Sequence, residues 1–189
     1  MSSPDVKSDH ILDAALPVFA RHGFRKTSMA DIARAAKISR ASLYLSFGIK
    51  EDLFRAGSTR AHANTMREVE AALAARGDVF SRIESAIAVS QRGLIAPFAG
   101  SPDAVELFDV NMALASDITL AARARLVALL AQALADAQTA GAVALDRLNS
   151  GPDDVANVIV AAMDGIKHAP GDSDEGMQLF MRLLRAAIS

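Results

Sequence analysis

Apolar side chains recur every three or four positions along most of this chain and nowhere alternate with polar ones as a half-buried strand requires. The first such run, Ile11, Ala15 and Phe19, closes at His22-Gly23-Phe24. Met29, Ile32, Ala33 and Ala36 then define a short second helix, with Ser28 placed to cap it and Asp31 as the acidic partner of that cap. Ile38 enters the core from a turn and Ser39 caps a third helix. Leu43 and Phe47 are its buried positions, leaving Arg40, Ala41, Ser42, Tyr44 and Leu45 on other faces. Two short helices joined by a tight turn, the second presenting small, basic and phenolic groups, describe a DNA-binding helix-turn-helix.

Further along, residues 51–75 read as one long helix ended by Gly77, and residues 79–95 as another with Phe80, Ile83, Ile87 and Leu94 on one face. Pro97, Gly100 and Pro102 mark a loop. A helix over 103–115 turns Ala104, Leu107, Phe108 and Ala115 inward. Residues 117–140 are apolar almost all round, as a buried central helix would be, with Gly141 to end it. A loop through 149–152 leads to helices over 153–167 and 174–188, separated by Pro170-Gly171. The expected fold is all-α: a three-helix DNA-binding head over residues 1–50 and a larger helical bundle for ligand binding and dimerisation over 51–189.

Two positions go against local rules. Lys37 occupies a turn where a positive φ would suit glycine. Pro17 falls inside the first helix, removing a hydrogen bond to Asp13, so that helix is expected to kink near Asp13 or to start later.

Composition narrows the class. The chain has 189 residues and no cysteine, which excludes disulfides and thiolate metal sites and suits a reducing cytoplasm. The longest apolar runs, 126–131 and 158–163, are too short to span a bilayer, and no basic leader precedes an apolar stretch. Net charge is only −2, but it is unevenly placed. Residues 1–60 hold ten basic and six acidic side chains, +4, and the remainder holds ten and sixteen, −6. A basic head on an acidic body orients the molecule toward phosphate. His10, His22, His62 and His168 lack metal-ligand spacing, and no phosphate-cradling glycine loop or hydrolase motif is present. Neither an enzyme nor a cofactor is therefore expected.

Thr27, Ile32-Ala33, Ala36, Ile38-Ser39, Leu43-Tyr44, Phe47, Lys50-Glu51 and Leu53, with Ile11, Ala15, Phe19 and His22-Gly23-Phe24 before them, resemble the N-terminal signature of the TetR family of transcriptional regulators. The resemblance covers about the first third of the chain, and the remainder fits only in length and helical character. It implies a cytoplasmic homodimer that binds a pseudo-palindromic operator in double-stranded DNA. The expected action is that of a repressor released by a small apolar effector. A DNA-binding protein of the same fold without a ligand switch, and more remotely a helical enzyme, remain the alternatives.

Arg40 and Ser42 stand at the start of the recognition helix, where base edges are read, and arginine can pair bidentately with guanine. The resemblance puts the Tyr44 hydroxyl on a phosphate and Lys50 at a phosphate-contacting helix start. Thr27 serves as a cap or adds a phosphate contact, and Lys37, Ser39, Ala41 and Leu45 complete the candidate DNA surface.

In the body, Asn111 projects from an apolar stripe, either as a core amide satisfied within the chain or as a ligand contact. Met66, Phe80, Ile83, Ile87, Phe108 and Met112 either line an apolar pocket around it or are plain core, as Met and Phe at helical spacing more often are. The last two helices are apolar over most of their circumference. They are expected to form a two-fold, four-helix dimer interface through Val155, Val158, Ile159, Ala162, Ile166, Met177, Phe180, Met181, Leu184 and Ile188, with Ala161 and Gly165 permitting close approach.

Overall fold

A computed structural model describes residues 4–95, 103–168, 170 and 172–189. Among the described residues there are nine α-helices and no strand. They are α1 (Pro4–His22), α2 (Met29–Ala35), α3 (Arg40–Tyr44), α4 (Lys50–Ala74), α5 (Val79–Ile95), α6 (Ala104–Leu114), α7 (Ser116–Thr139), α8 (Pro152–His168) and α9 (Ser173–Ile188). A short 3-10 helix, Leu145–Leu148, lies between α7 and α8. The fold is all-α, as the periodicity predicts, and the helix limits fall within a few residues of the expected ones. The loop positions Pro97, Gly100 and Pro102, the break at Gly171, and the side chains of Leu94 and Ala104 lie outside the described residues.

The chain forms two compact units, which do not divide at residue 50. One comprises Met1–Asn64 with Gly93–Leu120, and the other Thr65–Arg92 with Ala121–Ser189. Helix α6 thus belongs with the helix-turn-helix residues, a grouping that sequence spacing does not contain.

In the first unit, Ile11, Phe19, Ile32, Leu43, Leu53 and Leu107 are essentially fully buried in one cluster. The Phe19, Phe24 and Phe54 rings meet within it, with centroids 5.3–5.8 Å apart. Helix α1 runs unbroken past Pro17, contrary to the expected late start. Pro17 and Asp13 both lie on the exposed face, so water is available to the Asp13 carbonyl that the proline leaves unbonded. Gly23 ends α1 with φ +74°, and its amide donates to the Phe19 carbonyl. A side chain there would be strained by the positive φ, and its Cβ, 2.7 Å from a Glu106 carboxylate oxygen, would make that side chain move.

The turn after α2 is a complete Schellman motif with lysine where glycine is usual. Ile38 N–H donates to the Ala33 carbonyl at 3.0 Å, Lys37 N–H to the Arg34 carbonyl at 3.1 Å, and Lys37 has φ +55°. A side chain in that region costs roughly 1–2 kcal/mol, partly offset by glycine's greater freedom when unfolded. Lys37→Gly is therefore expected to stabilise the fold by about 0.5–1 kcal/mol in urea denaturation. A Lys37→Gly variant less stable than its parent would place the turn in another conformation.

The second unit buries Val69, Ile83, Leu130, Leu134, Ile159 and Met181 in its own core. The apolar pattern predicts α7 to be buried all round, yet its buried residues are confined to one face: Leu126, Leu130, Ala131, Ala133, Leu134 and Ala137. Much of its apolar count is alanine, whose small methyl costs little in water. By length and composition α7 alone among the described residues is apolar enough to cross a bilayer, correcting the expectation from short apolar runs, but core helices of soluble proteins pass the same test. The C-terminus is tied down by Ala144 N–H donating to the Ile188 carbonyl at 2.7 Å and by Arg147 bonding the Ser189 carbonyl.

Candidate nucleic-acid interface

The helix-turn-helix is built by side chains that close helix ends. Ser28 and Asp31 form the full capping box of α2, each bonding the other's backbone N–H at 3.2 and 3.0 Å. That hydrogen bonding from Ser28 lowers the Asp31 pKa, so the cap carries a stable negative charge at a helix N-terminus. Ser39 caps α3 by accepting the Ser42 N–H at 3.1 Å. Leu43 is fully buried beneath α3 and anchors it.

What α3 leaves in solvent is the candidate surface. Ser39, Arg40, Ala41, Tyr44 and Leu45 are exposed, with Leu45 85% accessible, and Ser42 is half-buried. Lys37, in the turn before α3, is exposed as well. Among the described residues neither Lys37 nor Arg40 has an ion pair, whereas Arg34, Arg55 and Arg60 bind Asp31, Asp117 and the Asp9–Asp13 pair. The Arg55 contact pulls the Asp117 carboxyl down to about 2. Some of the head's cations thus hold the fold, while Lys37 and Arg40 stay exposed at the turn and start of α3.

Two of the nine expected DNA contacts are placed differently. The Thr27 side chain is buried, and its hydroxyl donates to the Gly23 carbonyl at 2.6 Å, so it closes the α1–α2 link instead of facing outward. The Lys50 ammonium turns back onto the same link, donating to the Phe24 and Thr27 carbonyls at 2.7 and 2.8 Å. Neither is a free phosphate donor in this structure. Spacing identifies both as important but not their direction, because the link folds back from α1 by way of Gly23.

Spacing also misses three supports. Lys7 donates to the Ser42 carbonyl at 3.1 Å, and a His10 ring nitrogen lies 2.8 Å from the Ala36 carbonyl, so α1 holds the ends of α2 and α3. Glu106 of α6 accepts the Arg25 N–H at 2.7 Å. These contacts span 26 to 81 residues, and no local pattern announces them.

The residues expected to line a ligand pocket are divided between the two units. Phe80, Ile83 and Ile87 are buried in the core of the second unit, with Met66 packed against it. Phe108, Asn111 and Met112 belong to the first unit, where Phe108 and Met112 are 62% and 51% exposed. Asn111 takes the satisfied reading: its carbonyl oxygen accepts from the Ser58 hydroxyl at 3.2 Å and its amide donates to Thr119 at 3.0 Å. His62 joins that network 3.3 Å from Thr119, and burial pushes its imidazole below the usual value. On α6 the apolar positions split between two environments: Leu107 and Val110 fill the core of the first unit, while Phe108 and Met112, nearly half a turn away, face solvent.

The expected dimer face shifts in the same way. Val155, Ile159, Met177, Met181, Leu184 and Ile188 are buried in the chain's own core. Ala162, Ile166 and Phe180 are half-buried. Val158 alone of that set is exposed, as are Ala161 and Gly165 on the same helix and Leu179 and Leu183 on α9. A helix apolar on two sides does not declare which side meets its own chain.

Comparison with known proteins bears on this head first. The family described as "Bacterial regulatory proteins, tetR family" matches residues 11–56. The HTH-type transcriptional regulator AcrR of Shigella flexneri is 47% identical over 45 residues, which is 24% of this chain and 21% of that relative's length. Among solved structures, a TetR-family transcriptional regulator from Agrobacterium tumefaciens aligns over 99% of this chain and 100% of its own, with TM-score 0.62 and 24% identity. The SmeT–triclosan complex, SmeT being the repressor of a Stenotrophomonas maltophilia multidrug efflux pump, aligns over 97% of this chain and 91% of its own, with TM-score 0.66 and 21% identity. Such low identities carry the fold, while the head carries the sequence match. Taken together, residues 11–56 are similar in sequence to the head of the TetR family of bacterial regulatory proteins, and the whole chain shares the all-helical fold of solved structures from that family.

Proposed function

We propose that the chain is a homodimeric, sequence-specific DNA-binding transcriptional regulator of the cytoplasm, acting as a repressor that a small apolar ligand releases from its operator. Residues 1–50 read the DNA, and residues 51–189 supply the ligand response and the dimer. The observation that carries this reading is the solvent-facing set Lys37, Arg40, Tyr44 and Leu45 on α3 and its leading turn, its two cations without an ion pair among the described residues. Unpaired cations beside a capped, rigid helix suit phosphate and guanine, and an exposed leucine suits a thymine methyl. The exposed Val158, Leu179 and Leu183 support pairing about a two-fold axis.

Selection of bound duplexes from a random DNA pool tests the reading. The expected product is a pseudo-palindrome with half-sites about one helical turn apart, or a multiple of it. A pool that stays random after several rounds at physiological salt overturns it.

Ligand release has its support in SmeT, whose fold this chain shares and which binds triclosan. The reading without a ligand switch has its own support, since Asn111 is satisfied within the chain and Phe80, Ile83 and Ile87 fill a core. Thermal-shift screening with apolar compounds, triclosan among them, separates the two. A compound that raises the melting temperature and displaces the selected duplex establishes release, and a panel with no such compound favours the second reading.

A further inference from the structure

The link between α1 and α2, residues 23–28, carries backbone carbonyls that no helix satisfies. Three of them converge on one ammonium. Lys50 Nζ lies 2.7 Å from the Phe24 carbonyl, 2.8 Å from that of Thr27 and 3.5 Å from that of Arg25. It also sits 4.3 Å from the centre of the Phe24 ring, which is buried against Phe19 and Phe54. An ammonium has three N–H donors and no acceptor, so two short bonds and a third long one use up what it offers.

We infer that Lys50 is a positioning residue of the head, holding the α1–α2 link in the shape that sets the helix-turn-helix against α1, and that it contributes to DNA binding without contacting a phosphate. The physical sequence is direct. Gly23 turns the chain at the end of α1, and Thr27 closes the link through its hydroxyl bond to the Gly23 carbonyl. Lys50, the first residue of α4, draws the carbonyls between them inward. Ser28 follows at once as the cap of α2, so the link's shape fixes where α2, and then α3, begin. Removing the ammonium leaves the part-buried Thr27 carbonyl without this bond and the Phe24 carbonyl with only the long 3.3 Å bond from Thr27 N–H, so the link must loosen toward water to satisfy them.

This inference rests on the DNA-binding reading, and Lys50→Met tests the two separately because methionine keeps the apolar stem while losing the charge. Affinity for the selected operator is measured across a series of salt concentrations in parent and variant. A positioning role predicts an affinity lower by about tenfold at every salt concentration with parallel lines. Were Lys50 instead bound to a phosphate in each protomer, the substitution would flatten the slope of log K against log salt by about 1.8 per dimer, overturning the inference. Amide hydrogen exchange of the free protein supplies the arm that needs no DNA. Exchange at least about tenfold faster across residues 24–28 in Lys50→Met supports the inference, and unchanged exchange there overturns it. Absence of any sequence preference in the parent would sink the DNA-binding reading while leaving the exchange result to decide the role of Lys50 in the head.

Discussion

Leu179→Glu combined with Leu183→Glu is expected to give a folded monomer whose operator affinity is lower by about a hundredfold or more. The two leucines are 51% and 62% exposed on α9, and Val158, 58% exposed, lies on α8. Burying one such side chain fully is worth about 1.5–3 kcal/mol, and a two-fold axis counts each of them twice. Ala161 and Gly165 share the exposed face of α8, and a Cβ at Gly165 would meet nothing within 4 Å, so a second helix could approach closely there. Four glutamates brought together across the axis would repel one another and lose their solvation. With the dimer gone, each recognition helix would bind its half-site alone, without the effective concentration that joins the two events.

The choice of positions matters to the test. Phe180→Glu with Leu184→Glu strikes residues that belong to or pack against the chain's own core, Leu184 being only 9% exposed, and is expected to unfold it. Light scattering at micromolar concentration with circular dichroism tells the cases apart. The Leu179–Leu183 double variant should keep its helicity and halve its mass. A parent already monomeric, or a double variant still dimeric, removes this face as the interface.

The contrast between those pairs marks how far the sequence can be read. Helix existence, the Ser28–Asp31 box, the Ser39 cap and the positive φ at Lys37 are all legible, because each depends on residues within a few positions of one another. Legibility fails wherever the partner is distant. A lysine at a helix start reads as an anion anchor, and only the fold brings the carbonyls of Phe24 and Thr27, 26 and 23 residues away, around Lys50. Asn111 shows that its helix carries a polar group on an apolar stripe, while Ser58 and Thr119, on α4 and α7, decide that the amide is satisfied. In α9 the spacing counts two apolar stripes correctly. Which of them meets the chain's own core depends on the packing of Ile159 and Leu134, and no periodicity contains that.

Arg40→Ala is expected to weaken binding to the selected operator by about 1–3 kcal/mol for each half-site and to relax preference at one base pair in each. Arg40 is the first residue of α3, exposed and without an ion pair among the described residues, so its guanidinium needs no intramolecular ion pair broken before it meets a base. The backbone beneath it is held at both ends: Ser39 caps the first turn, and Lys7 binds the Ser42 carbonyl. Rigidity there is what converts one side chain into discrimination, since a frayed first turn would let arginine sample several edges at similar cost. Two half-sites make the effect on the palindrome about 2–6 kcal/mol, while binding to random DNA should change far less. The measurement is a competition of cognate duplex, single-substituted duplexes and random duplex for parent and variant. If Arg40→Ala weakened every duplex equally, the guanidinium would be a phosphate contact, and base reading would pass to Ser42, Tyr44 and Leu45.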